Sequence, residues 1–279
     1  MPILEILKAI LIGIVEGITE WLPISSTGHM ILLDEFIRLN VSKEFMDMFL
    51  VVIQLGAILA VPIIFFSKLN PFSRTKSEAE RKNAWNLWFK VVVGAIPAAI
   101  FGVLLDDILD KYLYNYVVVA LALIVYGILF IVIEKVLSKK GKKVEHVEDL
   151  SYTDALKIGA FQVLSLVPGT SRSGSTIIGG LISGVSREAS AEFSFFMAIP
   201  IMLGASGLKI LKFIKNGSLI TTIEAIILLV GLVVAFLVSY FSIKFLMDFV
   251  KKHDFKPFGI YRICLGVIVL AYFIIKTLV

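Results

Sequence analysis

Two short stretches of this sequence place polar and ionisable residues inside apolar segments, and the first stretch begins with a pair of carboxylates. Glu16 and Glu20 are four residues apart, so on a helix their side chains lie on one face. Gly13 and Gly17 are expected on the same face and leave room for a ligand or another backbone. An ionisable pair within an apolar segment predicts a functional site. The alternative is a pair that lies at a membrane surface and is simply hydrated.

A hydroxyl-rich turn follows Pro23 in the same segment. It contains Ser25, Ser26 and Thr27, and His29 comes two residues after them. Ser and Thr are common helix N-caps, and capping is the simpler explanation of this turn. The free N–H groups and the positive dipole end of a helix N-terminus also bind phosphate. Since the other two histidines fall in charged loops, we interpret His29 as a functional residue.

A second hydroxyl-rich turn lies between Pro168 and Thr176 and contains an arginine. Arg172 stands between Ser171 and Ser173, so its guanidinium is expected among hydroxyl groups. An unpaired guanidinium between apolar segments would cost on the order of several kcal/mol, whereas a phosphate or a carboxylate accepts its donors bidentately. Pairing with a glutamate of the first turn is the alternative for the empty state. The many hydroxyl groups favour an anion with several oxygens.

The two turns together predict a pocket for a phosphorylated amphiphile. They would bring two helix N-termini, an arginine, an imidazole, two carboxylates and many hydroxyl groups together. Neither a Walker A sequence nor a kinase glycine loop is present, so we expect no nucleotide or other organic cofactor. Glu16 and Glu20 are suited to hold a divalent cation, Mg²⁺ or Ca²⁺, with phosphate completing its shell.

The composition indicates that these turns belong to a membrane protein. Hydrophobic residues make up 58% of the 279 residues and charged residues only 18%, which excludes an ordinary soluble protein. The net charge of +5 comes from basic residues gathered between apolar runs, as the positive-inside rule predicts, so we expect no nucleic-acid partner. Cys264 is the only cysteine, which excludes an intrachain disulfide and leaves no second thiol for a thiolate metal site.

Hydropathy predicts six membrane-spanning helices and two interrupted segments. The expected spans are 46–66, 88–105, 112–133, 190–209, 225–243 and 257–276. Residues 3–38 and 155–186 contain the two turns, and neither half of either segment is expected to be long enough to cross. We therefore predict two re-entrant helical hairpins, whose irregular backbone must be enclosed by protein or water.

Counting the spans predicts that the two hairpins enter from opposite faces of the membrane, because three spans separate them. Basic loops at 67–87 and 135–157 are expected in the cytoplasm, and an acidic loop at 106–111 is expected outside.

A weak internal repeat supports this layout, since Pro23 aligns with Pro168 and, after a one-residue insertion, Gly28 aligns with Gly174. We predict one all-α membrane domain, 1–279, built as an inverted-topology repeat. Its halves are about 1–138, with hairpin 3–38, and about 152–279, with hairpin 155–186.

Both turns resemble the motifs of a known bacterial family. The matching segments are EGITEWLPISSTGH (16–29), PGTSRSGST (168–176), VVIQLGAILAV (51–61), EFSFFMAIP (192–200) and YR (261–262). They resemble the undecaprenyl-diphosphate phosphatases, also known as bacitracin-resistance proteins, over essentially the whole chain. The resemblance implies hydrolysis of undecaprenyl diphosphate to undecaprenyl phosphate, which recycles the lipid carrier for cell-wall synthesis. It also implies a bacterial plasma-membrane protein whose active site opens to the extracytoplasmic side.

Our hypothesis for the reaction assigns a role to each candidate residue. Ser26 attacks the terminal phosphorus, Glu20 accepts its proton, and Glu16 positions Glu20 or shares a cation. Arg172 binds the diphosphate, and His29 protonates or orients the leaving phosphate. The further substrate-binding candidates are Ser25, Thr27, Ser171, Ser173, Thr176 and Gln54. Attack by water or by His29 is left open, as is whether Gln54 meets the substrate or a neighbouring helix break.

A carrier for polyprenyl phosphate is the alternative function, because secondary transporters also use inverted repeats with broken helices. The expected partners are the polyprenyl diphosphate lipid and the bilayer, and a homodimer is left open. Asp149 and Tyr152 resemble an Asp-x-x-Tyr element of the family. We expect them to brace the second hairpin first and to support catalysis second.

Overall fold

The computed structural model describes residues 2–137 and 142–278, and its regular structure in these ranges is helical. A single β-bridge joins Val144 to Val185. Two short 3₁₀ turns, Val147–Asp149 and Leu164–Leu166, stand beside the helices. The predicted all-α class is therefore confirmed for the described residues.

Eleven α-helices are described in these ranges. They are α1 (Pro2–Thr19), α2 (Ser26–Phe36), α3 (Lys43–Ile64), α4 (Phe66–Leu69), α5 (Glu78–Tyr112), α6 (Tyr116–Leu137), α7 (Tyr152–Val163), α8 (Arg172–Ile182), α9 (Arg187–Lys215), α10 (Thr222–Lys252) and α11 (Lys256–Leu278).

Six of the described helices are long and apolar enough to cross a membrane, and each overlaps one of the six predicted spans; the predicted spans 46–66 and 112–133 extend beyond the end of α3 at Ile64 and the start of α6 at Tyr116. The six helices are α3, the 78–105 part of α5, α6, α9, α10 and α11. Large apolar side chains such as Leu229 and Phe241 are exposed on their outer faces, which a lipid environment would cover. The six-span prediction is confirmed, and the chain is a multi-pass membrane protein.

The predicted loops at 67–87 and 106–111 are wrong in part, because α5 begins earlier and ends later than its apolar run. Ser77 and Glu80 form a capping box that starts the helix ten residues before the predicted span. The backbone then stays helical through 106–111 to Tyr112. Side chains of 106–108 and 110 lie outside the described residues, and so does the expected acidic charge that they carry.

The second basic loop is also shorter than predicted. Helix α6 continues to Leu137 and α7 begins at Tyr152, so both ends of the predicted loop at 135–157 are helical. Lys139 and Lys140, which carry part of its expected charge, lie outside the described residues.

Each interrupted segment forms two helices joined by a short turn, as predicted. Helix α1 has 18 residues, which gives a length of about 27 Å, so it is longer than the sequence suggests for half a hairpin. It contains Glu5, Lys8 and Glu16 and is not among the six candidate spans. The other three helices of the two segments, α2, α7 and α8, have 11 or 12 residues and are too short to cross.

The first helix of each interrupted segment packs against a long helix from the other half of the chain. Helix α1 lies along α10, and α7 lies along α5. Glycines allow this close approach, because a Cβ on Gly17 would lie 2.9 Å from the Ala235 carbonyl oxygen, and one on Gly159 would overlap the backbone of Gly94. Helices α6 and α11 form a further close pair, in which α6 contacts α11 at Gly127.

Ion pairs join helices at one end of the bundle. Arg187 at the start of α9 binds Glu134 of α6 through two bonds of 2.6 and 2.9 Å. Glu134 is buried and also accepts a 3.0 Å bond from the backbone N–H of Phe255. Lys68 binds Glu192 at 2.7 Å near the same end. A charged group that is buried needs such partners, so Glu134 links α6, α9 and the α10–α11 connection.

We predict that Glu134→Ala lowers the free energy of unfolding by about 2–4 kcal/mol, because Arg187 and the Phe255 N–H lose their acceptor. Thermal unfolding of the purified protein in detergent measures the effect as a fall in Tm of at least about 5 °C.

Asp248→Ala is the matched control, because it removes an exposed pair with Lys251 at 3.6 Å. It should change stability by less than about 0.5 kcal/mol. Equal effects of the two substitutions would contradict the role assigned to Glu134.

Candidate active site

The two interrupted segments meet at their turns. The Ser173 hydroxyl, near the start of α8, donates to the backbone oxygen of Glu20 at 3.1 Å and to that of Leu22 at 3.4 Å. The start of α8 therefore lies against the turn that follows α1, although 151 to 153 residues separate these bonded pairs in the chain.

The two turns share one backbone geometry. Ser25 and Ser171 both have a φ of 74° and are the only non-glycine residues with positive φ in the described ranges. Each is an N-cap whose hydroxyl accepts the N–H of the glycine three residues later, at 3.4 Å for Gly28 and 3.1 Å for Gly174. The N-caps predicted from sequence are present. Left-handed backbone is unfavourable for serine, so both turns hold local strain.

Glu20 binds residues of both turns at once. Its Oε2 accepts a 3.1 Å hydrogen bond from the Ser26 hydroxyl. Its Oε1 accepts two bonds from Arg172, at 3.1 Å from Nη2 and 3.3 Å from Nε. Both charged side chains are largely buried, with 7% and 10% of their surface exposed. The pairing of Arg172 with a glutamate, which sequence reasoning left open, is the arrangement in this structure.

The opposite edge of the Arg172 guanidinium is held by helix α9. Its Nη1 donates to the Ser194 backbone oxygen at 2.7 Å and approaches the Ser194 hydroxyl at 3.4 Å. Thr176 donates to that hydroxyl at 2.7 Å, and the Trp21 ring lies 5.5 Å from the guanidinium carbon. Sequence reasoning gave Ser194 no role. The signals were a serine between phenylalanines within a predicted span and its place in the family-like segment EFSFFMAIP (192–200).

Glu16 is buried one helical turn before Glu20. Only 2% of its surface is exposed, and its Oε1 has no hydrogen-bond partner among the described residues. Carboxylate oxygens of this kind suit Mg²⁺ or Ca²⁺. No group of three or more His, Cys, Asp or Glu that could hold a metal occurs in the described part of the chain. A cation here would therefore need further oxygens from substrate or water.

His29 is fixed by hydrogen bonds at both ring nitrogens. Nδ1 lies 2.7 Å from the Ser25 carbonyl oxygen, and Nε2 lies 2.7 Å from the Tyr261 hydroxyl. Because a carbonyl oxygen only accepts, Nδ1 carries a proton. The Tyr261 ring also stacks on the imidazole with centroids 5.6 Å apart. Tyr261 belongs to a segment that resembled the family, but the sequence assigned it no function.

Arg262 of α11 contacts both turns from within the protein. It is fully buried, and its Nη1 donates to the Pro23 oxygen at 3.2 Å. Its Nη2 donates to the oxygens of Gly169 and Thr170 at 2.9 and 2.8 Å. Sequence reasoning placed Arg262 in the same family-like segment without a role, because no spacing rule connects α11 with either turn.

Some of the predicted site residues are not joined to this network by side-chain hydrogen bonds. Thr27 and Gln54 make none with the described residues, and Gln54 lies half-buried on α3.

The hydroxyl groups of Ser171 and Ser173 lie 3.2 Å apart. Tyr152 donates to Asn86 of α5 at 2.6 Å, which fits the predicted bracing of the second segment.

The sequence matches a family model over nearly all of its length. The model is described as Bacitracin resistance protein BacA, and it covers residues 9–268. The chain belongs to this family.

Relatives with assigned names agree with this family membership. A protein of Desulfitobacterium hafniense named undecaprenyl-diphosphatase is 58% identical over 280 residues, which is 100% of each chain. Two further proteins with the same name are each 56% identical to this chain. The match to the protein of Enterococcus faecalis V583 covers 96% of this chain and 97% of that protein. The match to the protein of Acetivibrio thermocellus covers 97% of this chain and 98% of that protein.

We predict that Ser25→Gly maintains or raises stability by up to about 1 kcal/mol, whereas Ser25→Ala lowers it by about 1 kcal/mol. Glycine relieves the backbone strain of the positive φ but loses the capping hydroxyl. Alanine also loses the capping hydroxyl and keeps the strain. The measurement is Tm in detergent.

Ser42 is the control, because it caps α3 at an ordinary φ of −63°. Ser42→Gly should lower stability slightly, since no strain is relieved. A Ser25→Gly protein that is less stable than Ser25→Ala would contradict the assignment of strain.

Proposed function

We propose that this chain hydrolyses undecaprenyl diphosphate to undecaprenyl phosphate and inorganic phosphate. The observation that carries the proposal is the part-buried chain of contacts from the Ser26 hydroxyl through Glu20 to Arg172. It contains a nucleophile, a base and an anion-binding group within hydrogen-bond reach. The names of the relatives supply the lipid. The product returns the lipid carrier to cell-wall synthesis, and this turnover confers resistance to bacitracin.

Substrate binding begins with an exchange at Arg172. A phosphate oxygen pair and a carboxylate compete for the same Nε and Nη2 donors. When the terminal phosphate binds, it replaces Glu20 at this edge, while Ser194 continues to hold Nη1. The N-terminal N–H groups of α2 and α8 favour the same anion.

The chemical step uses the bond between Ser26 and Glu20. Ser26 transfers its proton to Glu20 as its oxygen attacks the terminal phosphorus, and the bond to the bridging oxygen breaks to release undecaprenyl phosphate. Water then hydrolyses the phosphoserine, and Glu20 takes up and returns the required protons. Glu20 is a better acceptor for the Ser26 proton once Arg172 has turned to the phosphate, because it has lost two donors.

His29 and Glu16 support this step. Both His29 nitrogens are occupied by Ser25 and Tyr261, which favours an orienting role over proton donation to the leaving phosphate. Glu16, with one unpartnered oxygen, and Glu20 would hold a divalent cation, which would neutralise charge on the diphosphate.

Transport of polyprenyl phosphate is the less favoured function. A carrier needs an anion site but neither a hydroxyl nor a base aligned beside it. The Ser26–Glu20 hydrogen bond and the hydrolase names of the relatives both favour cleavage.

In the membrane, the two interrupted segments are proposed to be re-entrant hairpins of one domain with an inverted repeat. The matched turns at Ser25 and Ser171 and the exchange of α1 and α7 onto helices of the other half support this arrangement. Three candidate spans separate the segments, and this odd number supports entrances on opposite faces. We place the first entrance, and the active site, on the extracytoplasmic side of the plasma membrane.

We predict that purified protein releases phosphate from undecaprenyl diphosphate and that Ser26→Ala reduces kcat by about 10³-fold or more. Arg172→Ala and Glu20→Gln should each reduce kcat/KM by at least about 100-fold. A phosphate-release assay in detergent measures these effects.

Ser242→Ala is a matched control, because Ser242 is a buried serine that donates only to its own helix at 3.0 Å. It should keep full activity. Full activity of Ser26→Ala would eliminate the serine nucleophile, and full activity after chelator treatment would eliminate the cation.

We predict opposite labelling of two single cysteines placed beside the hairpins in a Cys264→Ser background. Asn40→Cys follows the first hairpin and His146→Cys precedes the second, and both positions are exposed. A membrane-impermeant thiol reagent should label Asn40→Cys in intact cells and His146→Cys only after permeabilisation. Labelling of both from one side would exclude the inverted arrangement.

A further inference from the structure

The two turns depend on each other for the spacing of their functional residues. Ser26 is the first residue of α2 and Arg172 is the first residue of α8, each directly after its strained serine. Phosphate can lie between them only if one turn is fixed relative to the other. Ser173 links them through carbonyl oxygens of the first turn, but it belongs to the second turn itself.

Helices α6 and α11 cover equivalent glycines of the two turns with different residues. A Cβ on Gly28 would lie 2.9 Å from the Leu123 side chain of α6, and a Cβ on Gly174 would lie 3.3 Å from Nη1 of Arg262 of α11. Gly28 and Gly174 occupy the same position after Ser25 and Ser171. Leu123 therefore gives only apolar packing beside Gly28, whereas Arg262 brings five N–H donors to the position beside Gly174.

Arg262 uses these donors on both turns. Nη1 binds the first turn through Pro23, and Nη2 binds the second through Gly169 and Thr170. A planar guanidinium fixes the angle and separation of acceptors on different nitrogens, which a lysine ammonium cannot do. No carboxylate pairs with Arg262 in the described structure, so its described hydrogen bonds all go to the backbone of the turns.

We propose that Arg262 is a positioning residue that sets the distance between the Ser26 hydroxyl and the Arg172 guanidinium. It never touches the substrate, and it acts by holding the two turns in register. The inference rests on the proposed phosphatase function, because it assigns Arg262 to the step in which Ser26 attacks a phosphate held by Arg172.

Loss of register affects the chemical step more than binding. Arg172 keeps its own donors and still binds the diphosphate, whereas a misplacement of about 1 Å between reacting groups costs about 100-fold in rate. Substitution of Arg262 should therefore lower kcat and leave KM nearly unchanged.

The test compares Arg262→Lys and Arg262→Met with wild type in the phosphate-release assay. Lysine keeps the charge and methionine keeps much of the volume, but neither bridges the turns. Both should lower kcat by about 10–100-fold with KM within about threefold of wild type. Val269→Ala is the control, because Val269 is fully buried on the same helix and packs in a cluster with α6. It should lower Tm and keep kcat.

Gly174→Ala provides a second, milder variant that does not remove Arg262. Its new methyl group would lie 3.2 Å from the Ser171 Cβ and 3.3 Å from Nη1 of Arg262, so the Ser171 side chain, the guanidinium or both must shift by a few tenths of an ångström. It should lower kcat by about threefold or more while Tm stays close to wild type. The kcat of Gly174→Ala tests the role of Arg262 if neither Arg262 variant folds.

Three results would overturn the proposal. One is a kcat within threefold of wild type in either folded Arg262 variant or, where neither folds, in Gly174→Ala. The second is a loss of kcat in Val269→Ala that is as large, for the same loss of Tm, as in the Arg262 variants. That result would make Arg262 merely structural. The third is a rise in KM with unchanged kcat, which would make it a binding residue. Failure of wild type to release phosphate would instead reject the proposed function.

Discussion

Glu20 is a buried carboxylate with two partners, and the arrangement of the two interrupted segments follows from them. A charge inside a membrane protein must be paired, and its partner Arg172 lies 152 residues away in the sequence. The turn after α1 and the start of α8 must therefore meet, which requires α1 and α7 to enter the helix bundle. Glycines on their faces permit that entry, since α1 and α7 closely approach α10 and α5 there. The same pairing places the Ser26 hydroxyl beside a carboxylate.

The two turns have the same backbone conformation at their caps but carry different side chains. Ser25 and Ser171 have the same φ and the same capping bond, but the next residue is Ser26 in one turn and Arg172 in the other. Their geometry is thus a scaffold that presents whichever residue follows the cap at a helix N-terminus, where anions bind. Chemistry requires a nucleophile on one side of the phosphorus and positive charge on the other. In the proposed mechanism, Ser26 and Arg172 meet that requirement from equivalent positions of the two turns.

Sequence patterns predicted the parts of this structure that local physics determines. Apolar run lengths located six spans, and the two hydroxyl-rich turns located the N-caps. Helix ends were less accurate, because the capping box at Ser77 extends α5 well beyond its apolar run. The partners of the site residues were not predictable, since Ser194 and Arg262 reach the turns through tertiary packing that spacing rules do not describe. For the same reason, sequence left open whether Arg172 pairs with a glutamate.

The charges of the site explain why a cation belongs in the proposed mechanism. Counted with both glutamates and both arginines in their charged forms and with a neutral His29, the buried site has no formal net charge. A diphosphate monoester brings about two or three negative charges into this environment, where uncompensated charge is costly. Arg262 already donates to three carbonyl oxygens, and Arg172 neutralises only one charge. In the proposed mechanism, a divalent cation held by Glu16, whose Oε1 has no partner among the described residues, would supply the remaining positive charge.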